Sequence, residues 1–351
     1  MNRTEYSFSP EDFEFVPKDN LLPPEEIYNT QSYFKDIRKR FTANKGAVAG
    51  GISILLILLL AIIGPMLSGH TYYSQNITHQ NLAPRIKLLE GIGIFDGSET
   101  ITTSTGTIEQ NKYISEDTSI TTGLEEVYYW FGTDVLGRDI FTRTWEGTRI
   151  SLYIAFVAVM VDMCFGMIYG LISGYFGGRT DMIMQRFAEI LNGIPTLVIV
   201  TLLILVFQPG LLTITIALAI TGWIGMSRIA RAQVLKLKEQ EFILASKTLG
   251  AKDFFIIFKE ILPNIFGQLI VMSMFSIPNA IFTEAFLAFI GLGVPQPLAS
   301  LGSLISDAFK SFTTHPYMIV FPVIVLGIIM LSFNLMADGL RDAFDPKMKE
   351  I

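Results

Sequence analysis

Cysteine occurs once in this chain, at Cys164, so no disulfide can form within it. The three histidines, His70, His79 and His315, have no metal-ligand spacing and no cysteine nearby, and no metal site is expected. The dipeptide Gly-Lys never occurs, which excludes the phosphate-binding loop of a Walker A ATPase. Any ATP that drives this protein must be held by another chain. Charge is scarce too: 17% of residues are charged, and mean hydropathy is +0.47. Those values exclude a soluble globule and point to a polytopic membrane protein. With a net charge of −6, no nucleic-acid partner is expected. No cleavable signal peptide is visible. The first apolar run starts near residue 46 and reads as a signal anchor that stays.

What is abundant is apolar sequence, half of all residues. A spanning helix needs roughly 20 apolar residues. Charge-free runs place six such spans, at about 46–67, 150–173, 187–207, 211–230, 264–290 and 316–338. The run Ile190–Ser227 is 38 residues long and holds two of them, with Gln208-Pro209-Gly210 as the turn between. The fold class expected is an all-α polytopic membrane protein of six transmembrane helices.

An even number of spans puts both termini on one side. Lysine and arginine divide 19 to 7 between the two faces, with both tails and residues 228–263 on the richer one. That bias assigns both termini and 228–263 to the cytoplasm. The chain then divides into a cytoplasmic tail (1–45), a first transmembrane helix (46–69), an extracellular loop (70–148), a five-helix core (149–340) that includes the segment 239–263, and a cytoplasmic end (341–351). Residues 1–34 carry seven acids and two bases and read as a solvated tail. Residues 35–45 reverse that, with five bases and one acid beside the first span. The loop is acidic. Its middle, Ser98 to Thr107, reads as a turn-rich or weakly β surface piece. Two roles stay open for a loop this long: a cap on the external mouth, or an insertion of little consequence.

The segment Glu241–Pro263 is unlike its surroundings, charged and helix-forming between long apolar runs. Its first helix carries Phe242, Ala245 and Leu249 at helical spacing. Gly250-Ala251 breaks that helix, since glycine readily takes a left-handed conformation. A second short helix follows, with Phe254, Phe258 and Leu262 on one stripe, and Pro263 marks re-entry to the membrane. The result is a compact knob with aromatic side chains and bases outward. By pattern alone it is either a docking element for a cytoplasmic partner or an interfacial hairpin with its aromatics against lipid.

This stretch resembles the "EAA loop" of permease subunits of binding-protein-dependent ABC importers: Glu-Ala-Ala, three residues, Gly, nine residues, Ile-x-Leu-Pro. The matching positions are Leu244-Ala245-Ser246, Gly250 and Glu260-Ile261-Leu262-Pro263. Both spacings hold, while Leu244, Ser246 and Glu260 depart from Glu, Ala and Ile. Phe131-Gly-Thr-Asp-Val-Leu-Gly-Arg-Asp139 is similar to the Gly-Thr-Asp-x-x-Gly-Arg-Asp signature of the dipeptide, oligopeptide and nickel permease group. Glu284–Gly293 and Asn334–Pro346 look like that group's fifth-span and C-terminal patterns. The resemblance covers roughly residues 30–70 and 130–348 and is nearest to the C-type subunit of oligopeptide permeases. The acidic tail and long loop suggest a Gram-positive version.

The resemblance implies the type I ABC importer permease fold with a cytoplasmic coupling helix. It implies docking of the knob into a groove on a cytoplasmic ATPase subunit through Phe242, Ala245, Ser246, Gly250, Ala251 and Phe254, with Lys247 and Lys252 at the polar rim and Pro263 at the end. It implies no cofactor in this chain, with ATP and Mg in two partner ATPase subunits. The other implied partners are a second, B-type permease subunit, an extracellular lipid-anchored peptide-binding protein, membrane lipid, and a peptide substrate crossing between the two permeases.

Ionisable side chains inside spans are costly, and each needs a reason. Asp162, near the centre of the second span, either lines a translocation path or hydrogen-bonds another span as a protonated acid. Family members carry an apolar residue there, which favours the second reading. Glu189 and Asn192 precede Pro195, which is expected to kink or open the third span. Glu284 is the first choice for a polar group facing the path, the alternative being a pair with Arg138 or Arg143. Asp134, Arg138 and Asp139 form a charged knot at the receptor-side mouth. It either docks the external binding protein or is a self-satisfied turn ordering entry to the second span. Asp338, Arg341, Asp342 and Asp345 read as helix capping and ion pairing.

The function expected is the permease subunit of an ATP-driven oligopeptide importer in the plasma membrane, working by alternating access and not itself an enzyme. The nearest alternative is the same machine for dipeptides or nickel. From another class stands a secondary transporter driven by an ion gradient, with Asp162 carrying the proton. A scaffold or sensor that transports nothing is a third.

Overall fold

The computed structural model describes residues 33–103, 106–114, 123–124 and 126–344. Most of the acidic tail, Ser104-Thr105 in the low-complexity middle, and Asp345 lie outside them. The chain's regular elements are helices apart from one hairpin, and the described residues of 68–139 are mostly turns and irregular chain. Helix α1 (Tyr33–Ala43) leads into α2 (Lys45–Leu67), the first span. The Asn44 side chain caps α2 by accepting from the Ala47 N–H at 3.1 Å. α3 (Ile140–Val161) and α4 (Met167–Phe176) join through a π-turn at Asp162–Gly166 into one span of 37 residues. It begins at Ile140, well before the charge-free run, and the arginines in that first part reach backbone carbonyls, Arg143 that of Tyr72 and Arg149 that of Ala61.

α5 (Gly178–Asn192) and α6 (Thr196–Phe207) follow, then α7 (Leu211–Leu237) and α8 (Glu241–Thr248). α9 (Asp253–Phe255), a π-turn at Ile256–Ile261, α10 (Leu262–Leu287) and a second π-turn at Ala288–Leu292 follow one another in a 40-residue helical stretch that kinks at Gly291, φ +89°. α11 (Leu301–Phe309) and α12 (Tyr317–Phe344) complete the core. Among the described residues five helices are long and apolar enough to cross a membrane, or six when the bent α5–α6 pair is one span. The all-α polytopic class therefore stands.

The third expected span, 187–207, is broken where Pro195 is expected to kink or open it: α5 and α6 meet at 76°. Gly193-Ile194-Pro195 separates them, and Pro195 at φ −57°, ψ 132° has left helical geometry. The fifth does not start afresh at Pro263. The π-turn just before absorbs the missing N–H and the ring, so the knob's second arm runs on into the span. The turn expected at Gln208-Pro209-Gly210 is present between α6 and α7.

Without a hydrophobic drive between helices in lipid, close backbone contact has to hold the bundle. Gly166, Gly170 and Gly174 recur every fourth residue along the inner face of the α3–α4 span, and α7 presses against them. A Cβ on Gly170 would sit 2.3 Å from the Ser227 carbonyl oxygen. A polar contact adds to this between α2 and α3. Pro65 lies inside α2 and has no N–H, so the Ala61 carbonyl one turn earlier loses its helical donor. Arg149 replaces it, donating from Nη2 at 2.9 Å to the Ala61 oxygen.

The loop outside has a small core of its own. Strands β1 (Ser98–Thr103) and β2 (Gly106–Asn111) pair antiparallel, with Ile101 opposite Ile108. Tyr113, fully buried beside Leu82 and Tyr129, donates its hydroxyl to the Ala83 carbonyl at 2.9 Å. Glu99 reaches His315 Nδ1 at 2.9 Å, Tyr317 donates to the Thr133 carbonyl at 3.0 Å, and Phe131 stacks on Phe321. The loop thus sits on the N-terminal end of α12.

Candidate functional site

The knob is built by α8 and by α9 with its π-turn. α8 ends in a Schellman motif: the Gly250 N–H donates to the Lys247 carbonyl and the Ala251 N–H to the Ser246 carbonyl, each at 3.0 Å. Gly250 has φ +82°, the left-handed region that favours glycine, and the space around its missing Cβ is open. Its role is backbone conformation rather than close approach. Ile243 anchors α8, fully buried among Ile256, Ile257, Ile261, Tyr175 and Val234. The opposite side is apolar and exposed: Phe242, Leu244, Ala245, Leu249, Phe254, Phe255 and Phe258, with Leu249 88% accessible. The rings of Phe254 and Phe258 lie parallel, with centroids 6.3 Å apart. An apolar patch on a charged projection marks a contact surface.

Lys247 is exposed, with its Nζ 4.8 Å from the centre of the Tyr175 ring. Two expectations about the knob change. Pro263 belongs to α10 and not to the knob's end. Ser246 faces inward, and here the two off-pattern residues meet: Ser246 Oγ donates to Glu260 Oε1 at 2.6 Å. Where the resembled pattern has an Ala and an Ile, this chain has a hydrogen-bonded pair. Lys252, by contrast, is exposed just ahead of α9.

At the external mouth the turn reading prevails over the docking reading. Asp134 Oδ1 accepts from the backbone N–H of Leu136 and of Arg138, and its Oδ2 accepts from Arg138 Nε at 2.6 Å. Arg138 also donates to Gln296 Oε1 at 3.0 Å, and Arg143 donates to the Tyr72 carbonyl at 2.9 Å. Asp139 caps α3, accepting from Thr142 N–H at 3.0 Å. Arg138 and Asp139 are each 2% exposed, too enclosed to offer a docking surface. Next to them, burial lifts the Tyr129 hydroxyl to about 12.

Glu284 is corrected in both of its readings. It is fully buried, turned into the bundle, and pairs with neither arginine. Its Oε2 accepts from Ser151 Oγ at 2.9 Å, and that same oxygen of Ser151 accepts the Leu301 N–H at 3.1 Å. The carboxyl therefore ties α10 to α3 and to the start of α11. Asp162 also faces inward, against Gly222 of α7, but its Oδ1 accepts no hydrogen bond among the described residues. The expected hydrogen bond to another span is absent there. The missing Cβ of Gly222 leaves room for the Asp162 side chain. Asn192 and Pro195 are exposed at the α5–α6 break.

Sequence reasoning missed the outward face of α10. Gln268, Met272, Phe275, Asn279, Phe282 and Phe286 recur three or four residues apart and form one stripe. Phe282 is 57% exposed and Phe286 50%. Asn279, a polar side chain open at mid-span, is a poor match for lipid. The inner end of the stripe opens into a cavity of about 550 Å³ lined by Gln233, Gln268, Phe275 and Arg341 among others. The helical spacing was available in the sequence, but Glu284 drew attention to the opposite face.

Two family patterns match the chain. "Binding-protein-dependent transport system inner membrane component" covers residues 166–350, and "N-terminal TM domain of oligopeptide transport permease C" covers 32–84. The oligopeptide transport system permease protein OppC of Bacillus subtilis (strain 168) is 45% identical over 319 residues, 91% of each chain. The dipeptide transport system permease protein DppC of the same organism is 42% identical, over 91% of this chain and 87% of its own. Among solved structures, the MetNI methionine ABC transporter in inward facing conformations aligns with a TM-score of 0.48 and 18% identity, over 56% of this chain and 94% of that one.

Proposed function

This chain belongs to the binding-protein-dependent transport system inner membrane components, and on that premise we propose that it is the C-type permease subunit of an ATP-driven importer of oligopeptides. The observation that carries the reading is the knob. Its exposed apolar face, from Phe242 to Phe258, projects from a chain that has no phosphate loop of its own. A groove on a cytoplasmic ATPase subunit is the partner that suits it. ATP and Mg belong to two such subunits, and this chain contributes no cofactor. Both termini and the knob lie in the cytoplasm, as the lysine and arginine bias requires. A B-type permease completes the pore wall, and a lipid-anchored receptor delivers peptide from outside.

Peptide passes between the two permeases along the outward face of α10, from Phe286 and Phe282 past Asn279 to the cavity at Gln268 and Arg341. Mostly apolar walls with few polar groups accept varied side chains, so selection rests with the receptor. Closure of the ATPase pair moves the knob, and the spans switch from inward-open to outward-open. Asn192 and Pro195 at the α5–α6 break are placed for the same route. Asp162 and Glu284 are not: both point into the bundle.

The test is reconstitution of the chain in vesicles with a second permease, two ATPase subunits and a receptor. ATP-dependent uptake of an oligopeptide that persists after the ion gradient is collapsed is the expected result. Uptake that follows the gradient and ignores ATP would overturn it. Competition by dipeptide or by nickel separates the cargoes.

A further inference from the structure

The two arms of the knob are joined at Gly250, the residue type best suited to act as a hinge. Side chains, however, bridge the arms on the membrane side. Tyr175, in the last turn of α4 and 7% exposed, touches both. Its ring lies under Lys247 of α8, with Nζ 4.8 Å from the ring centre. Its hydroxyl donates to Asp253 Oδ1, at the start of α9, at 2.7 Å. The second bridge is Ser246 of α8 to Glu260 of the π-turn, at 2.6 Å. A third contact fixes α7 to the same spot, with Lys238 Nζ donating to the Gly174 carbonyl at 3.2 Å.

We propose that Tyr175 is a positioning residue that clamps the two arms into a wedge of fixed angle and delivers the wedge's displacement to the α3–α4 span. The proposal rests on the importer reading. Its physical content is that force entering at the exposed apolar face has two ways to dissipate: bending at Gly250, or moving the spans. The aromatic ring and its hydroxyl close the first route. The Ser246–Glu260 pair supports the same angle. Because α3–α4 packs on α7 through backbone contacts at Gly166, Gly170 and Gly174, a displacement at Tyr175 moves α4 and α7 together.

The test measures ATP hydrolysed per peptide imported in the reconstituted complex, alongside co-purification of the ATPase subunits. Tyr175→Leu should keep the ATPases bound and hydrolysing while the ratio rises about tenfold. Tyr175→Phe keeps the ring beneath Lys247 and loses one hydrogen bond. Its ratio should rise only about threefold, with Asp253→Asn close behind. If Tyr175→Leu does not assemble, the two milder variants decide. An unchanged ratio in both overturns the proposal, as does an unchanged ratio in an assembled Tyr175→Leu complex. Absence of ATP-dependent import by the unsubstituted complex overturns the importer reading and the wedge with it. Normal import with unaltered ratios in the variants overturns the wedge alone.

Discussion

At the scale of single residues, conformation and hydrogen bonding make separable demands. Gly250 needs its left-handed φ and has open space around it, so Gly250→Asn should support near-normal uptake because asparagine visits that region. Gly250→Val should abolish uptake while the protein stays in the membrane, as uptake assays with quantitative blotting would show. Arg149 stands in for the N–H that Pro65 lacks. Arg149→Leu should therefore lower stability by about 1–3 kcal/mol, the cost of a buried carbonyl left without a donor. Pro65→Ala in the same chain should recover most of it, and thermal melting in detergent reads both. Gly250 was legible in the sequence, since a lone glycine between two helical stretches has one common use. The Arg149 contact was not: it needs the angle at which α2 and α3 cross. For the same reason Glu284 was misplaced. A carboxyl in an apolar run shows that it needs company, but not on which face of the helix it finds it.

At the scale of elements, caps and turns decide how far each helix runs. Asp139 satisfies the first turn of α3, and Asp139→Ala should cost about 1 kcal/mol and loosen the outer end of that span. Helix existence was legible from apolar runs; the joints were not. The π-turns at Asp162 and at Ile256–Ile261 leave no mark in periodicity, so the knob's second arm was expected to end at Pro263 when it runs on through it. In the outer loop, burial and then the nearby His70 hold His79 below its ordinary value of 6.5, neutral beside the Tyr129 hydroxyl at 2.6 Å. An unfolded loop takes up a proton below about 6.5, while the folded one resists it. That stabilisation is present above this pH and is lost as pH falls through the lowered folded value. Hydrogen exchange around residues 79–82 should therefore speed up between pH 7.5 and 5.5 beyond the intrinsic change. His79→Gln should flatten that dependence.

At the scale of the whole molecule, the class of protein was legible from what is missing: charge, cysteine and a phosphate loop. The lysine and arginine bias predicts an orientation, with the knob in the cytoplasm, and it can be checked directly. In a Cys164→Ser background, Leu88→Cys in the loop should react with a membrane-impermeant maleimide in intact cells. Leu249→Cys on the knob should react only after permeabilisation. Both leucines are more than four-fifths exposed in this chain, at 86% and 88%, and labelling Leu249→Cys in cells that lack the ATPase subunits leaves the membrane as the barrier to access. The opposite pattern would invert the topology.

The stretch Asp253–Leu292 has a further consequence. At 1.5 Å per residue its 40 residues extend about 60 Å, further than a bilayer is thick. The knob and the far end of α10 are therefore parts of one helical stretch, and Pro278 and the left-handed Gly291 are the places where it can bend. On the importer reading, tilting the segment between those points to widen one vestibule narrows the other, so the two ends of a peptide path cannot both stand wide at once.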